Sequence, residues 1–435
     1  MNNPKLSGII TLEDLKEDKR VYVMLDKDYL NDLVLNLKKH GSNIKEIANN
    51  SGIRYTLLNP LIGNRQEAIR LKDVWDICEF LEQNKFDCIP KLKTSITELK
   101  GQNGHGIKNP KLPINFNNKE GARIIASLYG DGGVCGNTNR PLYSNKQKVL
   151  IKTVLSCINN VIGKVYYSSQ STRGCTDVIF PPILGFIYEK VGYKAGNKIK
   201  TQNTIPPFVY HLQKDIILEF LSQLIDDEGT LYCKTRQVKH RGKKTRRLFY
   251  SIRLTFSNEH NLGKVPAFLE SLLRLLHKID IYPNYKISDF YITKHKEKRE
   301  KWTIHLSGRE FYNNTTLLNL ISSSKKSRLK RILRLKKESH MSKQELHTKF
   351  LSAIKALEKK NEDINSSNLS KNLNLSLDRS RELLAESYKK KYLTKIIGQR
   401  IFNKNRFAGQ LPTSYKPNNR MISLSKRFEH DNRTT

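Results

Sequence analysis

The sequence predicts an α+β fold: two pseudo-symmetric αββαββα repeats with a helical module on either side. Three observations predict it. Two apolar runs about one hundred residues apart, Ile124-Ile125-Ala126-Ser127-Leu128-Tyr129-Gly130-Asp131-Gly132 and Leu221-Ser222-Gln223-Leu224-Ile225-Asp226-Asp227-Glu228-Gly229, each end in a carboxylate and a glycine. Behind each run the pattern passes through strands and helices in the same order, an internal repeat that outweighs any single motif. Near both ends of the chain the apolar residues recur at helical spacing instead.

Composition bounds what such a chain can do. Its 435 residues suffice for two to four domains, and 37% hydrophobic with 9% aromatic residues can bury real cores. Lys and Arg number 78 against 41 Asp and Glu, a formal charge of +37. So lopsided a balance points to a polyanion, because each neutralised phosphate releases counterions. No apolar run approaches the roughly 20 residues of a bilayer span. The N-terminus, with Lys5, Asp14, Glu17 and Asp18, lacks the apolar core of a secretion signal. The expectation is a soluble protein, cytoplasmic or nucleoid-associated and not bound to membranes. The six cysteines form no C-x-x-C pair and read as reduced packing residues.

Residues 1–88 read as a helical domain. Tyr29, Leu30, Leu33, Leu35 and Leu37 open it; Ile44, Ile47 and Ala48 share a later helical face, Gly52 supplies a tight turn and Ile53 restarts the core. That is the pattern of a helix-turn-helix. Over 89–117, Pro90, Gly101, Gly104, Gly106, Pro110 and Pro113 interrupt any period among scattered lysines, which predicts a basic linker. The first repeat occupies 118–200. Its helix ends at Asp131, a strand-like piece covers Gly133–Gly136, and a second strand ends in Leu142-Tyr143-Ser144-Asn145, where Asn145 can cap the next helix. Strands near Lys164–Ser169 and Thr176–Phe180 and a helix near Ile183–Val191 complete it. The second repeat, 201–322, continues from Glu228 through strands at Thr230 and Ser251–Phe256, with Phe256-Ser257-Asn258 echoing Tyr143-Ser144-Asn145. A helix near Val265–His277, strands near Asn284–Ile287 and Trp302–Leu306, and a helix near Glu310–Leu320 follow.

From Asp131 to Asn145 is 14 residues, but from Glu228 to Asn258 is 30. The 16 extra residues lengthen the first hairpin of the second repeat, which carries Lys234, Arg236, Lys239, Arg241, Lys243, Lys244, Arg246 and Arg247 with no acid among them. A basic two-stranded ribbon matches a DNA major groove in width and charge. Residues 323–342 form a second basic linker, either a basic helix crossing a phosphate backbone or a flexible tether. Residues 343–400 read as a winged-helix-like domain: a second helix-turn-helix over Ile364–Ser376, a recognition helix over Leu377–Tyr388 and a wing strand over Tyr392–Ile397. The composition of 401–435 predicts a disordered basic tail.

An acid held at a helix C-terminus is unfavourable by a few tenths of a kcal/mol, and two acids side by side repel. A divalent cation reverses both costs, and Mg²⁺ suits carboxylates, waters and phosphate oxygens. The repeated runs resemble the two motifs of single-chain LAGLIDADG homing endonucleases: I-I-A-S-L-Y-G-D-G and L-S-Q-L-I-D-D-E-G, within residues 115–322. The resemblance implies antiparallel sheets forming a DNA-binding saddle, a monomer acting on double-stranded DNA, and a double-strand break with short 3′ overhangs. It implies Asp131 and Glu228 as the catalytic pair, and a site for Mg²⁺ or Mn²⁺ comprising Asp131, Glu228, Gly130 and Asp227. A basic helper near the scissile phosphates is expected as well, with Lys301, His305 and Arg309 as candidates. Gln223 and Asp227 depart from the family's small residues, and Glu228 replaces its usual Asp. A non-cleaving DNA-binding regulator and a maturase acting on structured intron RNA are the alternative readings.

Overall fold

A computed structural model describes residues 7–62, 68–84, 86–102, 104–172, 174–240, 243–259, 264–293, 296–306, 318–340, 343–375, 377–389, 393–396 and 414–417. The chain divides into two compact units, Met1–Lys326 and Ser327–Thr435. It is a mixed helix-and-sheet protein with antiparallel sheets, and among the described residues no helix is long and apolar enough to cross a membrane.

The first unit opens with β1 (Ile9–Ile10), α1 (Leu12–Lys16), β2 (Tyr22–Leu25), α2 (Lys27–Lys38), α3 (Ile44–Ser51), α4 (Tyr55–Ile62), β3 (Ile69–Arg70) and α5 (Leu71–Gln83). Asn43 caps α3, accepting a hydrogen bond from the Glu46 amide at 3.0 Å. Gly52 then turns the chain at φ +68°, a left-handed conformation that costs a residue without a Cβ little. The region is not purely helical, because β2 pairs with β3 on one side.

The segment expected as a basic linker over 89–117 is woven into the fold, which corrects that expectation. It forms α6 (Ile89–Ser95), β4 (Ile96–Lys100), β5 (Ile107–Lys108) and β6 (Ile114–Asn115). Strand β4 joins β2 to β5, and β6 pairs with β1. The physical reason is burial: Leu92, Leu99, Ile107, Ile114 and Phe116 are fully enclosed. Their irregular spacing among prolines, glycines and lysines hides an apolar set large enough to order the segment.

The centre of the unit is α7 (Lys119–Tyr129) followed by β7 (Gly132–Val134), β8 (Pro141–Asn145), α8 (Lys148–Val161), β9 (Lys164–Val165), β10 (Ser168–Thr172), β11 (Cys175–Ile179), α9 (Pro182–Lys190) and α10 (Lys198–Thr201). Then come α11 (Lys214–Glu228), β12 (Gly229–His240), β13 (Lys243–Glu259), α12 (Ala267–Lys278), β14 (Asn284–Ile292) and β15 (Lys298–Leu306). Two four-stranded antiparallel sheets result, in the orders β10-β11-β8-β7 and β12-β13-β15-β14. Strand β9 leaves its expected hairpin to pair with β5 as the edge of a five-stranded sheet. The helix expected near Glu310–Leu320 falls largely on 307–317, outside the described residues; Leu318–Leu320 is not helical.

Helices α7 and α11 pack against each other and are enclosed on every side: Gly121–Tyr129 and Ile217–Asp226 are buried throughout. Such burial traps polar groups, and these pair across the seam. Arg123 donates from Nε to Glu219 at 2.8 Å and from Nη1 to Gln223 at 3.3 Å, and its Nη2 lies 2.6 Å from the same Glu219 carboxylate. All three side chains are almost wholly enclosed.

The second unit contains helices Lys343–Lys359, Ser366–Leu373 and Leu377–Lys389. Asn374 joins the last two in the left-handed conformation (φ +52°). Phe350, Ile354, Leu357, Leu369 and Leu384 are buried in their shared core. Leu393–Ile396 pairs with Ser414–Pro417; the remainder of the expected tail over 401–435 lies outside the described residues.

Breaking the seam's ion pair leaves an uncompensated buried charge. Arg123→Met is expected to cost about 3–5 kcal/mol in urea denaturation, while Arg123→Met with Glu219→Leu recovers most of that loss.

Candidate metal centre at the ends of the paired helices

Helix α7 stops at Tyr129, and Gly130 turns out of it at φ −81°, ψ −124° while its amide still reaches the Ala126 carbonyl at 3.1 Å. A Cβ at Gly130 would fall on the side chain of Asp227, so glycine is required here by proximity. Gly132 begins β7. Asp131 is thus fixed between helix and strand. Its carbonyl accepts the Ser144 amide at 3.2 Å and its carboxylate accepts the Asn145 carboxamide N–H at 2.7 Å. Asn145 therefore divides its duties. Its oxygen accepts the Gln147 amide at 2.8 Å in a local turn, the helix cap itself falling on Gln147 rather than on Asn145 as expected, and its nitrogen orients the acid.

Helix α11 ends in three successive carboxylates, and a helical rotation of about 100° per residue sends them three ways. Asp226 is buried and accepts the Ile321 and Ser322 amides at 2.7 and 3.1 Å. Asp227 turns toward α7: its Oδ1 accepts the Tyr143 hydroxyl at 2.7 Å and the Gln223 side-chain N–H at 3.0 Å. Its Oδ2 is sealed with no hydrogen-bond partner. Glu228 lines a cavity of about 430 Å³ together with Lys198, Gln202, Asn258, Phe256 and Phe268. Gln223, one of the two departures from small residues, accepts a hydrogen bond across the seam from Arg123.

Burial raises the carboxyl pKa of Asp131, and Lys198, Lys325 and Asn145 oppose the shift. Burial and then the Asp131 charge raise that of Glu228, again against Lys198 and Lys325. Asp227 is pushed up to about 7 by burial and by Asp131. Burial and the Asp227 carboxylate hold the Tyr143 phenol well above its ordinary range, so it remains a donor. Two lysines join the site without having been expected there. Lys198 donates to the Gly130 carbonyl; Lys325 donates to the Ile225 and Asp226 carbonyls at 2.8 and 2.6 Å. Both are ammonium caps on helix ends, where cations are favoured. Burial lowers the pKa of Lys325, against the pull of the acids. Neither carries a recognisable signal: Lys198 sits in a connector without a motif, and Lys325 is one of a run of basic residues.

Two of the expected basic helpers lie on β15. Lys301 is exposed on β15 opposite Ser257, and His305 on the same strand faces Arg253, with its pKa lowered by burial and by Arg253 and Lys286. Arg309 lies outside the described residues, as does Arg241. Lys234, Arg236 and Lys239 lie on β12, and Lys243, Lys244, Arg246 and Arg247 on β13.

Among the described residues no group of three or more His, Cys, Asp or Glu is arranged to hold a metal ion. Mg²⁺ requires less, since it keeps several waters and takes one or two carboxylates plus substrate phosphates. Asp131 and Glu228, two half-buried carboxylates of which the first raises the proton affinity of the second, are a hard-oxygen donor set of that kind, and the residues fit a hydrated divalent ion.

No family model matches the chain, and no curated protein matches it. Solved structures show weak likeness. I-DmoI in complex with DNA and Ca is 14% identical over 49% of this chain and 97% of that one, at a TM-score of 0.31. Its complex with DNA and Mn is 15% identical over 48% and 99%, at 0.29. Full-length DUF199/WhiA from Thermatoga maritima is 10% identical over 62% and 91%, at 0.24.

Because Asp227 holds its proton more tightly in the folded chain than in the unfolded one, the stability it contributes is present below about pH 4 and is lost as the pH rises toward 7. Asp227→Asn is expected to flatten the decline of melting temperature over that window, removing at most about 1.4 kcal/mol per pH unit, as read by circular dichroism.

Proposed function

We propose that this chain is a site-specific double-strand DNA endonuclease of the homing type, hydrolysing phosphodiester bonds with Mg²⁺ or Mn²⁺ held by Asp131 and Glu228. The supporting observation is that two stretches with one sequence pattern end in neighbouring carboxylates, each leading into its own four-stranded antiparallel sheet. The two halves serve as pseudo-symmetric LAGLIDADG-like repeats, and each acid serves one strand cut.

A bound divalent ion would supply a nucleophilic water and stabilise charge developing on phosphorus. The chain's own residues prepare for it. Asn145 fixes the rotamer of Asp131, while Tyr143 and Gln223 keep the Asp227 carboxylate turned into the seam. Lys198 and Lys325 bring positive charge to a place where phosphate would add negative charge. The β12–β13 ribbon provides the main duplex contact. Its register sets Arg236 opposite Arg247 and Lys239 opposite Lys244, a concentration of basic residues suited to a phosphate backbone. On β14, Tyr285, Phe290 and Tyr291 are exposed and extend this surface. The α3–α4 pair and the Ser366–Leu373 and Leu377–Lys389 pair act as helix-turn-helix modules that lengthen the recognised site.

A non-cleaving DNA-binding regulator is the second reading, favoured by one observation: Lys198 and Lys325 already counter the acids without a metal. Selection of cleaved sites from a duplex library with Mg²⁺ separates the two. The wild-type chain is expected to make double-strand breaks, and Asp131→Asn or Glu228→Gln to slow them at least about 100-fold with binding retained. Tight binding without cleavage in any divalent metal identifies the regulator, and preference for structured intron RNA over duplex identifies a maturase.

Replacing Lys234, Arg236, Lys244 and Arg247 with Gln is expected to flatten the dependence of log affinity on log salt by about 0.9 for each phosphate that is no longer neutralised, measured by fluorescence anisotropy.

A further inference from the structure

Lys198 holds an unusual position. Its ammonium sits on the carbonyl of Gly130, the residue directly before Asp131, and its side chain also lines the cavity into which Glu228 opens. It therefore touches the surroundings of both acids at once. The backbone that carries it is built to keep it there. Asn197 caps α10 by accepting the Ile199 amide at 3.0 Å, and the Gly196 amide is tied to the Val134 carbonyl at 2.8 Å. Beyond the helix, Asn203 clasps Lys194 through both its amide and its carbonyl, at 2.7 and 2.9 Å. Gln202 reaches across to Asn258 at 3.3 Å. Lys325 supplies the corresponding ammonium at the end of α11.

The Gly130 carbonyl and the two acids can accept a divalent ion or an ammonium, and the two cations repel at that distance. We propose that Lys198 is a resident counter-cation that keeps the DNA-free site closed to divalent metal. It leaves the Gly130 carbonyl when a backbone phosphate offers its ammonium another partner, so that metal loads onto the protein–DNA complex in preference to the free protein. This makes Lys198 a positioning residue for metal entry, and it rests on the reading of Asp131 and Glu228 as metal ligands.

The test is titration of the DNA-free full chain with Mn²⁺, with free ion read by electron paramagnetic resonance. Lys198→Gln keeps a donor for the Gly130 carbonyl and removes the charge; it is expected to bind Mn²⁺ at least about tenfold more tightly than the wild type. Lys198→Arg keeps the charge and is expected to restore the weak binding. Circular dichroism melts establish that each variant is folded. If folded Lys198→Gln binds Mn²⁺ no more tightly than the wild type, while Asp131→Asn with Glu228→Gln abolishes the binding, the counter-cation role is overturned and the ligand assignment survives. If Lys198→Gln binds Mn²⁺ equally well with and without those acid replacements, the ligand assignment itself fails.

Discussion

The candidate centre depends on how closely α7 and α11 approach where both helices end. The absence of a side chain at Gly130 admits the Asp227 carboxylate, and that contact fixes the separation of every group around it. With the helices this close, the seam cannot stay wet, so each polar group in it must find a partner within it. Arg123, Glu219, Gln223, Asp227 and Tyr143 satisfy that demand as a chain of donors and acceptors running toward the acids. One acceptor, the second oxygen of Asp227, remains unmatched. Leaving a buried acceptor bare costs about 1–3 kcal/mol, unless the group holds a proton. The high proton affinity of Asp227 follows from the same geometry that creates the close approach.

The three acids at the end of α11 show how neighbouring residues of one type acquire different properties. Asp226 holds backbone amides of the segment before the Ser323–His340 helix, Asp227 belongs to the seam, and Glu228 alone opens into a cavity. Asp131 differs again, because Asn145 braces it while Glu228 meets the Lys198 side of the cavity. The two acids of the candidate pair are thus unequal in support as well as in length.

Much of this is legible in the sequence because it is local. A helix ending in acid and glycine, followed by a hairpin that closes in Tyr-Ser-Asn or Phe-Ser-Asn, announces itself in order along the chain, and the structure brings Asn145 onto Asp131. Partners fixed by tertiary packing leave no such trace. Tyr143 reads as a strand residue, although its hydroxyl reaches Asp227, 84 positions away. Lys198 and Lys325 approach the acids from a connector and from a basic run whose members look alike in sequence. The 89–117 stretch misleads for the opposite reason. Its breakers are conspicuous, while the burial of Leu99, Ile107 and Phe116 depends on β2 and the rest of the first unit being present.

The unequal hairpins have a geometric consequence. Strand β12 runs for 12 residues, and at about 3.3 Å per residue it extends roughly 40 Å, slightly more than one turn of B-form duplex. Its counterpart β7 has only 3 residues. Laid along a groove, the longer ribbon would reach much farther along the double helix on one side of the centre than the short strand would on the other. The protected stretch of duplex would then be lopsided about the point midway between the acids. A molecule with that outline distinguishes left from right along its target, so inverted symmetry in the bound sequence would bring it no advantage.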